Sequence, residues 1–283
     1  MRLFITGGTG FIGGHLLDLL DKTDHQVTAL CRRPELLTEK PALRRSWLCK
    51  PMDTLEAADL RGIDVLVHLA SPNVPPRPSE WQSLFYWNVE ILVRLLLAAE
   101  AGGVRRIVIA GTFAEYGRSF EDYDTIPCQA PLQPTHGYAA SKAAAFHAAS
   151  AFAIERGIEL CYLRIFSAFG ERQYSQNFWP ALHKAAHAGE DFPMTPGAQV
   201  RDYVDVQQVG RAFLRAIEAG DVKAGVPWVR NVGSGVPVSM KAFAEHWWSR
   251  WNAPGRLLVG ALPYRPNELM RCVPRSGPDL LVG

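Results

Sequence analysis

Thr6-Gly7-Gly8-Thr9-Gly10-Phe11-Ile12-Gly13 decides how this chain folds. The stretch follows a short apolar run, Arg2–Thr6 (RLFIT), and opens a helical pattern, Phe11–Leu20 (FIGGHLLDLL). It satisfies G-x-G-x-x-G through Gly8, Gly10 and Gly13, and G-x-x-G-x-x-G through Gly7, Gly10 and Gly13. The glycines have physical tasks there: a tight turn, a residue without Cβ where backbone meets pyrophosphate, and close packing of helix on strand. The first N–H groups of the helix, at the positive end of its dipole, then face phosphate. Strand, glycine turn and helix together predict a dinucleotide site at Gly7, Gly10, Phe11, Ile12 and Gly13.

Outward from this turn, short apolar runs alternate with helical patterns. Gln26–Cys31, Trp47–Cys49, Val65–Ala70, Arg106–Ala110 and Glu159–Ile165 read as further strands, and Trp81–Ala101 and Tyr138–Arg156 as long helices closed by glycines. Continuous apolar strands between helices imply an α/β fold, a Rossmann-type doubly wound parallel sheet covered on both faces. Beyond Gly170, aromatic and Pro-rich loops interrupt helices at Phe178–Ala188, Val206–Ala219 and Met240–Trp251. The expected division is a dinucleotide-binding domain over 1–170 and a smaller substrate region over 171–283. That second region is free to lend strands to the first.

Composition narrows the class. With 30 basic and 28 acidic side chains and a net charge of +2, the chain has no basic block, which argues against nucleic acid as a partner. Five cysteines with no C-x-x-C pair suit neither a disulfide framework nor a zinc cluster, so no metal is expected. No run of about 18 apolar residues predicts a membrane span. The glycines and Asp18 near the start do not suit a signal peptide. A cytoplasmic protein in a reducing compartment is the expectation.

Further positions fit the same ligand. Ala70 and Ser71 end the fourth strand on the carboxyl edge, where open parallel sheets bind ligands, and Asp53, after the third, suits either an adenine amino group or plain solvation. At the end of the second strand stands Cys31, where a carboxylate would bind the adenosine ribose hydroxyls. Arg32 and Arg33 follow, and a guanidinium pairs well with a 2′-phosphate, so NADP is expected over NAD. Tyr138 and Lys142 stand at i and i+4 on one helix face, where an ammonium stabilises a phenolate for proton transfer. Thr112 lies just past the fifth strand, at the same edge.

These landmarks resemble an extended short-chain dehydrogenase/reductase, in the branch acting on nucleotide sugars. TGGTGFIG, VLVHLAS, Asn88 in WNVE, Thr112 in GTFAEYG, YAASK, Arg164 in LRIFSAFG, RDYVDV, NVGSG and PYRPNE occur in family order over nearly the whole chain. The resemblance implies that Tyr138 carries the proton, that Lys142 holds the nicotinamide ribose and lowers the Tyr138 pKa, and that Thr112 bonds the reacting oxygen. It implies Asn88 beside the cofactor, and Asn177, Arg201 and Arg265 on the nucleotide diphosphate. For Arg201, a salt bridge to neighbouring Asp202 is the competing expectation. Phe178, Trp179 and Tyr203 suit either base stacking or core packing. Homodimerisation through the two long helices is a further implication.

Two departures bear on the reaction. Ser167 stands where many relatives carry Asn. Dehydratase relatives place Asp-Glu directly after the catalytic Thr, whereas this chain has Phe113 and Ala114, with Glu115 one place beyond. Water elimination is therefore disfavoured. The leading expectation is a 4-ketoreductase using NADPH on a 4-keto sugar nucleotide. The alternative is a nucleotide-sugar 4-epimerase with bound NAD, and a non-catalytic cofactor-binding regulator is a third reading.

Overall fold

The computed structural model describes residues 1–32, 44–71 and 80–281. Eight parallel strands form the main sheet, in the spatial order β3 (Arg45–Cys49), β2 (Gln26–Cys31), β1 (Arg2–Thr6), β4 (Val65–His68), β5 (Arg106–Thr112), β6 (Glu159–Ile165), β10 (Trp228–Val232) and β14 (Leu280–Leu281). The chain builds outward from β1 to β3, then crosses back to β4 on the other flank of β1. That reversal opens a crevice at the carboxyl ends of β1 and β4.

Side chains alternate along each strand, so both faces of the sheet are apolar. Leu3 and Ile5 join Leu16, Leu17 and Leu20 of α1 (Phe11–Leu20) and Val209, Phe213 and Ile217 of α6 (Val206–Glu218) on one face. Phe4, Leu66 and Ile107 face the other way, against Leu92, Leu95 and Leu96 of α3 (Ile91–Gly102) and Ala145, Ala149 and Ala153 of α4 (Gly137–Arg156). The first, second and sixth strands occupy the residues the sequence predicts. The third begins at Arg45, the fourth stops at His68, and the fifth runs on to Thr112.

The long helix expected over Trp81–Ala101 is interrupted. α2 (Trp81–Phe85) leads into a π-helical turn at Tyr86–Glu90 before α3 resumes. The wider turn carries Asn88, which is buried with its side chain bonded at both ends, and those bonds hold the irregularity in place.

From Ser167 onward the chain divides its strands between sheets. β7 (Ser167–Phe169), β9 (Val200–Asp205), β11 (Pro237–Ser239) and β13 (Arg271–Cys272) make a second small sheet, and β8 (Phe192–Met194) pairs with β12 (Leu257–Val259). α5 (Phe178–Ala188) and α7 (Met240–Arg250) pack through Leu182, Ala185, Ala244 and Trp248. β10 and β14 nevertheless extend the main sheet, and α6 covers its face. Among the described residues no helix is long and apolar enough to cross a membrane, and the five cysteines form no disulfide.

Phe213 is fully buried between α6 and the sheet. Phe213→Ala should therefore lower unfolding free energy by about 3–5 kcal/mol in urea titrations.

Candidate active site

The glycine turn makes a cradle that only these residues can form. Gly7 has φ +76°, and a Cβ on it would lie 2.6 Å from the Ala70 nitrogen. A Cβ on Gly13 would run into the Gly7 carbonyl oxygen, which also accepts the Gly10 N–H at 3.0 Å. α1 begins at Gly10 with no side-chain cap and no acidic residue in its first turn. Its leading N–H groups are thereby left to an anion. The shape of this cradle and its free N–H groups suit a dinucleotide pyrophosphate, which Gly7, Gly10, Phe11, Ile12 and Gly13 could hold. Cys31 and exposed Arg32 lie at the end of β2, while Arg33 falls outside the described residues. Asp53 sits in a short 3-10 turn, Met52–Thr54, and is half-buried.

From the cradle a chain of hydrogen bonds runs across the sheet edge. Thr6 Oγ1 meets His68 Nδ1 at 2.8 Å, with both residues buried, and accepts the Ala70 N–H at 3.4 Å. Ser71 donates to Asn88 Oδ1 at 2.9 Å, and Asn88 Nδ2 donates to Ser141 Oγ at 2.9 Å. Ser141 in turn donates to the Tyr138 carbonyl at 2.9 Å. The Tyr138 hydroxyl is itself bonded to Ser71. The π turn thus ties the end of β4 to the first turn of α4.

Tyr138 and Lys142 share the inner face of α4. Lys142 is buried and donates from Nζ to the Ala110 carbonyl of β5 at 2.7 Å. Burial lowers the Lys142 pKa, against an opposing pull from the Glu115 carboxylate. Burial likewise raises Tyr138 above the ordinary phenol value, the Glu115 charge adds to that rise, and the bond to Ser71 counters it. Thr112 ends β5, with Oγ1 accepting the Ala114 N–H at 3.3 Å. The residues expected to act together, Thr112, Tyr138, Lys142, Ala70, Ser71 and Asn88, therefore occupy one edge of the sheet.

Sequence reasoning did not assign His68, Ser141 or the buried group beneath Thr112. Glu115 is fully buried and pairs with Arg164 at 2.8 Å, while its other oxygen accepts from Thr112 N at 2.8 Å and Tyr162 Oη at 2.9 Å. The signal for Glu115 was present as Thr112-x-x-Glu115, the spacing of a reciprocal helix cap, which the structure contains.

The residues expected on the diphosphate lie on elements outside the main sheet. Asn177 caps α5 without a side-chain bond to the helix. Arg201 on β9 does not pair with Asp202. It pairs with Glu268 at 2.7 Å, and the Glu268 N–H reaches the Arg265 carbonyl at 3.2 Å, placing exposed Arg265 nearby. Buried Asp202 instead accepts from the backbone of Ser234 and Gly235, at 2.7 and 2.5 Å. The aromatic residues are half-buried and packed on protein neighbours: Tyr203 stacks on Phe243 at 3.8 Å, Phe178 contacts Phe192 and Phe243, and Trp179 packs against Trp247 and His183. Among the described residues no group of three His, Cys, Asp or Glu side chains could hold a metal ion.

Residues 3–233 match the family model described as the NAD dependent epimerase/dehydratase family. The chain belongs to that family. The extended short-chain dehydrogenase/reductase resemblance is thereby borne out, and the chain is of the NAD-dependent enzyme class. It is similar to the UDP-glucose 4-epimerase of Corynebacterium glutamicum, 28% identical over 270 residues covering 87% of this chain and 79% of that one. It is also similar to the CDP-abequose synthase of Salmonella muenchen, 26% identical over 277 residues, 95% of this chain and 87% of that one. Among solved structures, MoeE5 in complex with UDP-glucose and NAD superposes with a TM-score of 0.82 at 27% identity, covering 96% of this chain and 89% of that one.

His68 gives the epimerase/dehydratase-family core a pH signature. Burial, then the Lys142 charge, pushes its pKa from 6.5 down to about 3. The unfolded chain takes up this proton below pH 6.5 while the folded chain does not, so stability is lost as pH falls from 6.5 towards 3. Urea titrations between pH 7.5 and 4 should show a shallower decline for His68→Gln than for the unmodified protein.

Proposed function

We propose that the protein is a 4-epimerase of a nucleoside-diphosphate-linked sugar. The observation that carries this reading is the constellation of Thr112, Tyr138 and Lys142 beside the glycine cradle, with Phe113 and Ala114 in place of carboxylates after Thr112. Glu115 does not replace them, since both of its oxygens are committed within the core. Similarity to an enzyme named for 4-epimerisation supports the same choice. A bound nicotinamide cofactor supplies hydride exchange at the sugar carbon.

The chain's own groups handle the proton. Tyr138 as phenolate accepts it from the sugar hydroxyl and returns it to the same oxygen once the carbon has been re-presented on its other face. Lys142, held by the Ala110 carbonyl, places its positive charge where the phenolate forms. The Thr112 hydroxyl bonds the reacting oxygen, which shortens the list of orientations the sugar can adopt. Residues 171–283 form the substrate-facing region in this reading. Asn177, Arg201 and Arg265 take the diphosphate, the two guanidiniums by paired charge-assisted bonds.

A second reading, a 4-ketoreductase using NADPH, is favoured by one feature: Cys31 and Arg32 stand at the end of β2 where an acid would select NAD. Here Tyr138 donates the proton to the new alkoxide.

Incubation with UDP-, dTDP- and CDP-linked hexoses and their 4-keto derivatives separates the two. Isomer formation without net loss of NADH or NADPH absorbance is expected, and stoichiometric loss would establish the reductase instead. Tyr138→Phe should lower turnover on the accepted sugar by at least ~10²-fold while leaving cofactor binding in place. Wild-type turnover by that variant removes Tyr138 from the chemistry.

The coenzyme question has its own measurement. If Arg32 holds a 2′-phosphate, Arg32→Ala should weaken NADP binding by about tenfold in calorimetry and leave NAD binding unchanged, as for loss of one charge-assisted contact. Equal affinity for both coenzymes in the unmodified protein would exclude that role.

A further inference from the structure

Directly beneath the proton-transfer centre lies a charge that the reaction does not use. Glu115 has no solvent exposure, and Arg164, its partner, is 2% exposed. The pair is bonded from several parts of the fold. Glu115 Oε1 accepts the Thr112 N–H and the Tyr162 hydroxyl, and Oε2 accepts Arg164 Nε. The Arg164 Nη1 donates to the Cys128 carbonyl at 3.1 Å and to Tyr116 Oη at 3.3 Å, and Tyr116 donates to Asn231 Oδ1 at 2.7 Å. The guanidinium lies over the Phe146 ring at 4.3 Å and over Tyr116 at 4.9 Å.

An ion pair at this depth is a poor way to gain stability. Desolvating both groups takes back much of their attraction, and apolar residues of similar volume serve a core as well or better. What the pair does offer is fixed direction. The carboxylate holds the Thr112 backbone from below as one half of a reciprocal cap, so the β5 terminus cannot rotate without breaking a buried bond. Tyr162, reaching from β6, also touches the Lys142 carbonyl at 3.2 Å and so links the same carboxylate to α4. Gly111 makes room for this: a Cβ there would strike the Tyr162 ring and lie 2.9 Å from Glu115 Oε1.

We infer that Glu115 is the positioning residue of the proton-transfer centre, fixing Thr112 directly and the Tyr138–Lys142 helix through Tyr162. The inference rests on the reading of Thr112, Tyr138 and Lys142 given above. Glu115 touches no reacting atom and transfers no proton. Its charge has a second effect: it favours the protonated forms of Tyr138 and Lys142. The groups facing Tyr138 are Lys142 on its own helix, the stacked His136 ring at 6.3 Å, Ser71 after β4, Glu115 after β5 and Tyr162 on β6. Of these, Glu115 is the one whose negative charge holds the phenol protonated. Neutralising it leaves Arg164 unpaired, so both changes move Tyr138 ionisation to lower pH.

Two variants test this. In Glu115→Gln, kcat on the sugar nucleotide turned over by the unmodified protein should fall by about 10- to 100-fold with KM within about threefold, the signature of misplaced catalytic groups. The acid limb of its kcat profile should move to lower pH. Tyr162→Phe keeps the charge, so it should lose kcat without moving that limb, and it stands in should Glu115→Gln fail to fold. A substrate-independent arm uses protein loaded with NAD or NADP and labelled with 13C at the tyrosine ring, the Tyr138 signal being assigned by its absence from Tyr138→Phe. That signal should titrate at lower pH in Glu115→Gln. Loss of thermal stability with kcat, acid limb and Tyr138 titration unchanged, or unchanged kcat in folded Tyr162→Phe, overturns the inference. If the Tyr138 signal moves but no sugar nucleotide is turned over, the functional reading falls and the positioning role, which kcat alone reads, falls with it, leaving only the charge effect of Glu115.

Discussion

The carboxyl ends of β1 and β4 approach each other so closely that Gly7 can carry no Cβ against the Ala70 backbone. This contact sets the geometry of everything nearby. It aims the first turn of α1 into the crevice on one side, and on the other it fixes where Ala70 and Ser71 leave the sheet. Ser71 then reaches both Asn88 and Tyr138, so the cofactor cradle and the proton-transfer residues are registered against each other through about two residues of backbone. A parallel sheet suits this arrangement because its strand ends are held by ladder bonds on both flanks and do not drift.

Much of the frame was legible in the sequence because it depends on local patterns. β1, α1, β2 and β6 fall on the expected residues, since apolar runs and the glycine turn are read over a few positions. The π turn at Tyr86–Glu90 was not legible. Its side chains keep an apolar pattern that a continuous α-helix also explains, and only the bonds from Asn88 to Ser71 and Ser141, far apart in sequence, single it out. Arg201 illustrates the same limit. Its neighbour Asp202 looked like a partner, but adjacent residues on a strand point to opposite faces, and each found a distant one. Glu115 lies between these cases, with its local cap spacing visible and its distant partners Tyr162 and Arg164 not.

Two kinds of buried polar group coexist at this edge of the sheet. Thr6 pairs with His68, and Asn88 with Ser71 and Ser141, all neutral groups that hold geometry with little electrostatic field. Glu115 and Arg164 are charged, and their field reaches Tyr138 and Lys142. The two kinds of group divide shape from potential: the neutral bonds tie α4 to the end of β4, and the Glu115 charge raises the pKa of Tyr138 and of Lys142.

The outer flank of the main sheet closes on β14, a strand of only two residues, Leu280 and Leu281, whose ladder with Asn231 and Val232 is joined by the Arg230–Asp279 ion pair and the Gln129–Asp279 hydrogen bond. Short as it is, this strand covers the exposed ladder of β10. A chain lacking residues from Pro278 onward would present β10 as a bare edge rich in Trp228, Val229 and Val232, a template for pairing with another molecule's strand. The last described strand therefore caps the Asn231–Val232 end of β10 at the sheet edge.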